Sequence, residues 1–380
     1  MTTAFPRVLL VAGEASGDLL GAHLAQAITT LNARITLIGM GGPHMQSAGV
    51  DLFIDARSLA VVGASEILTQ LGSILAAMRR LKKLFKTAPP ELVIFIDYPG
   101  FNLRMAKYAK RAGCRVLYYI SPQIWAWRYR RIKKIKRYVD RIAVLLAFEE
   151  PLYQKENIPV TWVGHPIIDI ARPTLPPQTV YEQWSLTPEK PLIALFPGSR
   201  INEINKLMPI IIKSVQLIRQ QIPEAQFILP LASSLSIHDI QKFLIPDIQV
   251  IEKNTYNLLP LCHAAITASG TATLEIALHQ VPMVIIYKIS AFSYWLAKRL
   301  VKVPFVGLCN LVAEESVALE LLQKAAQAET ITKEIIRLIK EDNYRQNTLI
   351  KLARIKDKLG GSGASHKVAQ LALQILNDIK

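Results

Sequence analysis

Residues 7–28 read RVLLVAGEASGDLLGAHLAQAI. An apolar run, a tight glycine-bearing turn and an amphipathic run follow one another, the layout with which a nucleotide-binding strand–turn–helix unit begins. The glycines stand at 13, 17 and 21, every fourth residue, instead of in G-x-G-x-x-G order. Glu14 and Asp18 share the turn, and carboxylates there repel a pyrophosphate. The stretch therefore predicts a doubly wound α/β domain whose first loop is not an ordinary dinucleotide cradle.

The same alternation continues along nearly the whole chain. Strand-like runs recur as ITLIGM, VDLFID, LVIFID, RVLYYIS, RIAVLLA and VTWVG, then as LIALFPGS, QFILPLA, IQVIE, AAITA and PMVIIY. Helical-period segments such as 203–221 and 271–279 separate them. Alternation of this kind predicts two parallel sheets of doubly wound type, with ligands held at the carboxyl ends of the strands. At 380 residues, 51% of them hydrophobic, the chain suits two domains, each with its own core. Between the two series, ARPTLPPQTVYEQWSLTPEKP places five prolines in 21 residues. Proline fixes φ and donates no amide, so this segment reads as a linker that continues neither a helix nor a central strand.

A formal charge of +16 is concentrated in RRLKKLFK at 79–86 and RYRRIKKIKR at 128–137. Such clusters suit polyanions, whether nucleic acid, anionic lipid or phosphorylated substrate, or else form solvated helix faces. Ahead of the first cluster, Ile67, Leu68, Leu71, Ile74, Leu75 and Met78 recur at helical spacing. That stripe reads either as core or as a helix lying in a membrane interface. No apolar stretch is long enough to span a bilayer, and VLLVAG is too short for a signal-peptide core. Cys114, Cys262 and Cys309 match neither a metal spacing nor a disulfide framework, which points to a reduced, cytoplasmic compartment.

Residues that could carry chemistry fall just after predicted strands. Asp97 ends LVIFID and is a candidate general base or a helix cap. In LFPGSR, Gly198 and Ser199 offer amides at a helix start and Arg200 a fork of donors for phosphate oxygens, against an ordinary turn with a surface arginine. Ser269, Gly270 and Thr271 open a second such helix, with Glu275 placed to accept from ribose hydroxyls or merely to favour the helix dipole. His165 is a proton shuttle, a hydroxyl ligand or a structural histidine. Trp125 and Trp127 stand beside the second basic cluster and could stack on bases or equally form an amphipathic wall beside a sugar or lipid. No Asp-x-Asp pair occurs, so a carboxylate clamp for a metal on a nucleotide diphosphate is missing and metal-independent chemistry, with no cofactor, is expected.

In order and spacing, VAGEASGD, FIDYPGFN, SPQIWAWR, VGHPIID, PGSR, SGTATLE, FSYWLAKRLVK and NLVAEESVALELLQ resemble the lipid A disaccharide synthases, from Val11 to Gln323. The resemblance implies a glycosyltransferase of the two-Rossmann-domain GT-B type, its domains facing a cleft. It implies residues 1–172 as the acceptor and membrane-facing domain, rejoined by the last helix at 364–380, then a linker at 173–191 and a UDP-sugar domain at 192–363. The implied reaction joins UDP-2,3-diacylglucosamine to 2,3-diacylglucosamine 1-phosphate with inversion, forming a β(1→6) disaccharide and UDP. It would run at the cytoplasmic face of the inner membrane, on an anionic surface and without nucleic acid. By motif, Asp97 is the base on the acceptor hydroxyl. Gly198, Ser199, Arg200, Ser269, Gly270, Thr271, Glu275 and Asn310 belong to the UDP-sugar site. Glu14, Ser16, Asp18 and His165 face the acceptor, the loop carboxylates accepting from hydroxyls and amides. Ile67, Leu68, Leu71, Ile74, Leu75 and Met78 face acyl chains. The family pattern has Asp at Gly100, Pro at Cys309 and Gly-Arg at Glu314 and Glu315. The rival readings are a transferase or epimerase with a soluble substrate, and a basic nucleic-acid-binding protein.

Overall fold

The computed structural model describes residues 5–56, 67–125, 129–290 and 303–378. The chain forms two compact units, one of residues 1–166 with 360–380 and one of residues 167–359. Both are parallel-sheet α/β units.

The first unit is built on β1 (Arg7–Ala12), β2 (Thr36–Gly41), β3 (Asp51–Asp55), β4 (Leu92–Ile96), β5 (Arg115–Tyr119), β6 (Arg141–Val144) and β7 (Val160–Trp162). They pair in the order β3-β2-β1-β4-β5-β6-β7, all parallel. Its central strands are unbroken apolar runs because helices cover both faces; every residue of β4 is buried. The second unit repeats the plan with β8 (Leu192–Phe196), β9 (Gln226–Pro230), β10 (Ile248–Ile251), β11 (Ala264–Ala268), β12 (Met283–Tyr287) and β13 (Leu319–Leu322). Their order is β10-β9-β8-β11-β12-β13, again all parallel. The expected strands all form, and β13 is an addition to them. In each sheet the order reverses once, between β1 and β4 and between β8 and β11, and the crevice beyond the carboxyl ends at such a reversal is where open α/β sheets bind ligands.

The late helix Ala364–Asn377 packs along Ala15–Leu31 and so returns to the first unit. The proline-rich segment 173–191 lies in the second unit. The segment is expected to continue no helix, yet Pro177 opens a short one of its own, Pro177–Gln183. Proline is tolerated at that first position because the amide it lacks has no helical partner there.

Helix Ile67–Thr87 divides the expected acyl-facing stripe. Ala77, Leu81 and Phe85 are buried in the first unit's core, and Ile74 and Met78 pack against it. Ile74 and Met78 are thus core-facing rather than lipid-facing, because their spacing continues the 77–81–85 seam. Leu75 is 51% exposed and fits the outer face. The side chains of Ile67, Leu68 and Leu71, like all of Trp127 and residues 292–302, lie outside the described residues. Among the described residues no helix is long and apolar enough to cross a membrane.

Candidate active site

The first unit's reversal point brings together the loops after β1 and β4. Asp97 and Tyr98 follow β4 with φ of +47° and +44°, two successive non-glycine residues in left-handed backbone, before helix Pro99–Arg111 begins. The Tyr98 ring lies over Gly13, where a Cβ would come within 2.3 Å of it. Gly13 is therefore the glycine that lets the two loops meet. Gly17 and Gly21 serve packing instead, the first against Ala12 and the second against Met45 and Ile96. This accounts for the unusual spacing in the opening stretch.

Asp97 is half-buried, and burial pushes its carboxyl from 3.8 up to about 6. The negative charge of Glu14 adds to the rise, and the Tyr98 amide opposes it. A carboxyl of this kind is ionised at neutral pH yet more basic than a free aspartate, as a general base needs. Glu14 and Ser16 are exposed at the same mouth. Asp18 is different: it is 3% exposed, and its carboxylate accepts from the amides of Gly42 (2.7 Å), His44 (3.0 Å) and Met45 (3.0 Å). It caps helix Pro43–Ser47 instead of facing an acceptor. His165, after β7, is half-buried, and burial pulls its imidazole down to about 4, so it is neutral at physiological pH.

The loop after β5 is fastened by a residue the sequence does not single out. Glu149 is 4% exposed and accepts from Ser121 Oγ (2.8 Å), Trp125 Nε1 (3.1 Å) and the Leu146 amide (3.2 Å). Burial nevertheless pushes its carboxyl up. Trp125 also meets Phe148 edge-on at 5.1 Å, so this tryptophan is occupied with its own loop rather than free to stack on a base.

In the second unit the loops after β8 and β11 open onto a cleft of about 700 Å³. It gathers seven of the eight residues expected there: Gly198, Ser199, Arg200, Ser269, Gly270, Thr271 and Glu275. Gly198 has φ +115°, and a Cβ on it would meet Glu203 Oε2 at 2.4 Å. That closeness lets the Glu203 carboxylate accept from the Ser199 amide (3.0 Å) and face Arg200 Nη1 (3.5 Å). An internal anion thus already sits at the start of helix Ile201–Gln221. The Arg200 side chain is 79% exposed, so its pairing with Glu203 is weak and easily exchanged for another anion. Ser269 Oγ donates to the Val306 carbonyl (2.8 Å), and Thr273 Oγ1 donates to the Gly270 carbonyl (2.8 Å), which fixes the turn.

Glu275 lies on the cleft wall, and burial raises its carboxyl to about 7. Beside it, burial and the Glu275 charge raise the Tyr256 phenol, and the Tyr256 ring stacks on His279 at 6.2 Å. Tyr256, Asn254, Arg172 and Thr174 are among the other residues of the wall and were not anticipated. Topology is the signal that could have found Asn254 and Tyr256, since they follow β10 at the same end of the sheet.

Asn310 does not join the cleft lining. It is fully buried; its Oδ1 accepts from the Val317 and Ala318 amides (both 2.9 Å), and its Nδ2 donates to the Ala318 carbonyl and Glu320 Oε1 (both 2.8 Å). With every polar valence used, its role is to fold the approach to β13, a correction to the expected nucleotide contact. Glu314 takes a left-handed backbone, φ +61°, at the end of helix Leu308–Ala313, the position where glycine is favoured. Its charge and that of Glu315 are met by Lys358 (3.7 Å) and Lys351 (3.2 Å). Among the described residues no three His, Cys, Asp or Glu side chains gather to hold a metal ion.

A family model described as lipid-A-disaccharide synthetase matches residues 8–375. A lipid-A-disaccharide synthase of Coxiella burnetii (strain Dugway 5J108-111) is 54% identical over 97% of this chain and 98% of that protein. One from Geobacter metallireducens is 47% identical over 97% of each. Among solved structures, a UDP-GlcNAc 2-epimerase from Neisseria meningitidis bound to UDP-GlcNAc superimposes with a TM-score of 0.68 at 14% identity, covering 97% of this chain and 100% of that one. The calicheamicin glycosyltransferase CalG4 does so with a TM-score of 0.63 at 14% identity, covering 98% and 99%. At that identity the structural likeness establishes the GT-B fold alone.

Proposed function

The chain belongs to the lipid-A-disaccharide synthetase family, and on that premise we propose how its two units divide the work of a lipid-A-disaccharide synthase. It is a glycosyltransferase, and its family argues against the rival readings of a transferase or epimerase with a soluble substrate and of a nucleic-acid-binding protein. UDP-2,3-diacylglucosamine is the donor, held in the second unit, and 2,3-diacylglucosamine 1-phosphate is the acceptor, held in the first. The carrying observation is that each sheet reverses order once, and beyond its own reversal the first unit offers a proton-accepting aspartate and the second a cleft suited to an anion and a ribose.

In this reading Asp97 takes the proton of the acceptor's primary hydroxyl as that oxygen attacks the donor's anomeric carbon. The bond from that carbon to the diphosphate oxygen breaks, and its electron pair leaves with UDP. Arg200, with the Ser199 amide, meets the growing charge, and Glu275 accepts from the ribose. Glu14 and Ser16 orient the acceptor, and neutral His165 offers it one further donor or acceptor. Both substrates are acylated, and each methylene drawn out of lipid costs roughly 0.8 kcal/mol. That cost favours reaction at a membrane surface, which in this reading is the cytoplasmic side of the inner membrane, with Leu75 and the basic residues of 79–86 toward the lipid.

The deciding experiment supplies the purified protein with both acylated substrates and measures UDP release against disaccharide formed. Equal amounts of the two are expected; UDP release without disaccharide would reject the transfer.

Glu203 makes a separate prediction. Its carboxylate occupies the amide and guanidinium that the diphosphate needs, so it must yield when UDP arrives. Glu203→Gln keeps the shape and removes the competing charge, and UDP should bind roughly fivefold tighter, the equivalent of about 1 kcal/mol. Uridine, which lacks phosphate, should bind as before. Calorimetric titration of both ligands checks this, and weaker UDP binding would make Glu203 part of the scaffold instead.

A further inference from the structure

We infer that Tyr118 and Asn102 are positioning residues for the transfer, holding Asp97 in the strained backbone from which its carboxylate faces the acceptor. The inference rests on the reading of Asp97 as the base.

Two successive left-handed residues without glycine are costly and persist only where the surroundings overdetermine them. Here the surroundings can be named. The Asp97 carbonyl accepts from Tyr118 Oη (2.7 Å) and from Asn102 Nδ2 (2.7 Å). The same Nδ2 donates to the Ile96 carbonyl (3.1 Å), and the amides of Phe101 and Asn102 reach the Tyr98 carbonyl at 3.2 and 3.0 Å. The Asp97 amide, in turn, donates to Tyr119. Tyr118 and Asn102 are both fully buried.

Asn102 is the more telling of the pair. Its Oδ1 is buried without a hydrogen-bond partner. An orphaned acceptor is a standing penalty, and leucine would fill the same space without it. What asparagine supplies there is its donor, and that donor serves only the carbonyls of Ile96 and Asp97.

The strain has a chemical effect because it sets what the carboxylate faces. Asp97 is flanked by Glu14 from the loop after β1, by Tyr98 on its own loop and by Tyr118 on β5, and Arg131 acts on Tyr118. Loss of the carbonyl's donors lets the backbone relax toward extended conformation and carries the carboxylate out of the burial that chiefly raises it, and away from Glu14.

The test is the pH dependence of kcat and kcat/KM in Tyr118→Phe, which removes one hydroxyl and keeps the ring, and in Asn102→Leu, which removes the amide. The expected result is a fall in kcat of about tenfold or more with little change in KM, as for a slightly misplaced group. The acid limb of kcat/KM, which reports the free enzyme and is expected near pH 6 from the raised Asp97 carboxyl, should move down toward the ordinary aspartate range. If both variants lose thermal stability but keep the rate and the limb, the two residues merely support the fold and the inference is overturned. Asp97→Asn in the same assay separates the failures: an unchanged rate there defeats the base itself, whatever Tyr118 and Asn102 do.

Discussion

Asp97→Asn is expected to lower kcat by about two to four powers of ten, the usual contribution of a positioned general base, while leaving UDP affinity unaltered. The amide cannot take the acceptor's proton, and it belongs to a different unit from the cleft proposed for UDP. The substitution should also stabilise the protein, and only at higher pH. Folding raises the Asp97 carboxyl from 3.8 to about 6, so the folded chain holds this proton more tightly than the unfolded one. The stability it contributes is complete below pH 3.8 and is lost as pH rises through about 6. At pH 8 the unsubstituted protein ionises the group at a cost of roughly 2–3 kcal/mol, which asparagine avoids. Thermal melts at pH 8 and pH 3.5 check this. The variant should melt several degrees higher at the first and no higher at the second. A rate near that of the unsubstituted enzyme would remove Asp97 from the reaction.

The second large effect concerns stability rather than rate. Asn310→Ala strips partners from two amides and a carbonyl in the interior, and one of two donors from the half-buried Glu320 Oε1. At about 1–3 kcal/mol for each buried polar group left unpaired, partly relieved by relaxation, the loss should reach roughly 3–5 kcal/mol. For a unit of this size that lowers the melting midpoint on the order of 10 °C. If Asn310 touched the nucleotide instead, the melting point would hold and UDP affinity would fall, so calorimetry with and without UDP separates the two.

These two residues illustrate what the sequence discloses. Both follow motifs that mark functional loops, yet one ends a buried strand at a reversal of strand order and the other has its side chain turned inward. Position after an apolar run can be read locally. The partners of an inward-facing polar group cannot, because they are fixed by tertiary folding. Asp18 behaves like Asn310: its three amide donors lie 24–27 residues away, and nothing near it signals that its charge is spent on a helix start. Glu149 is the converse, unremarkable in EEPLY but tying down Ser121 and Trp125 from 28 and 24 residues away.

The sheets were legible because parallel strands covered on both faces are continuous apolar runs, and LVIFI and AAITA need no context. Strand β13 was not. It lies at the sheet's edge with Leu319 exposed and Glu320 bonded to the amides of Val306 and Gly307, so its pattern merges with the helix before it. The left-handed pair at Asp97 and Tyr98 leaves no trace in composition either, since neither residue is glycine. The acyl-facing stripe failed in part for a similar reason: a helix that is half core and half surface has one periodicity, and periodicity alone does not say which half meets lipid.

The return of helix Ala364–Asn377 to lie along Ala15–Leu31 bears on how the chain is made. On the ribosome the strands of the first sheet emerge early, but the piece that seals Ala15–Leu31 emerges only after the whole of the second unit. The second unit, an unbroken span from 167 to 359, has all of its residues in hand sooner. Maturation should therefore run in the opposite sense to synthesis, the later-encoded lobe closing first and the opening lobe waiting, partly unsealed, until Ala364–Asn377 has emerged.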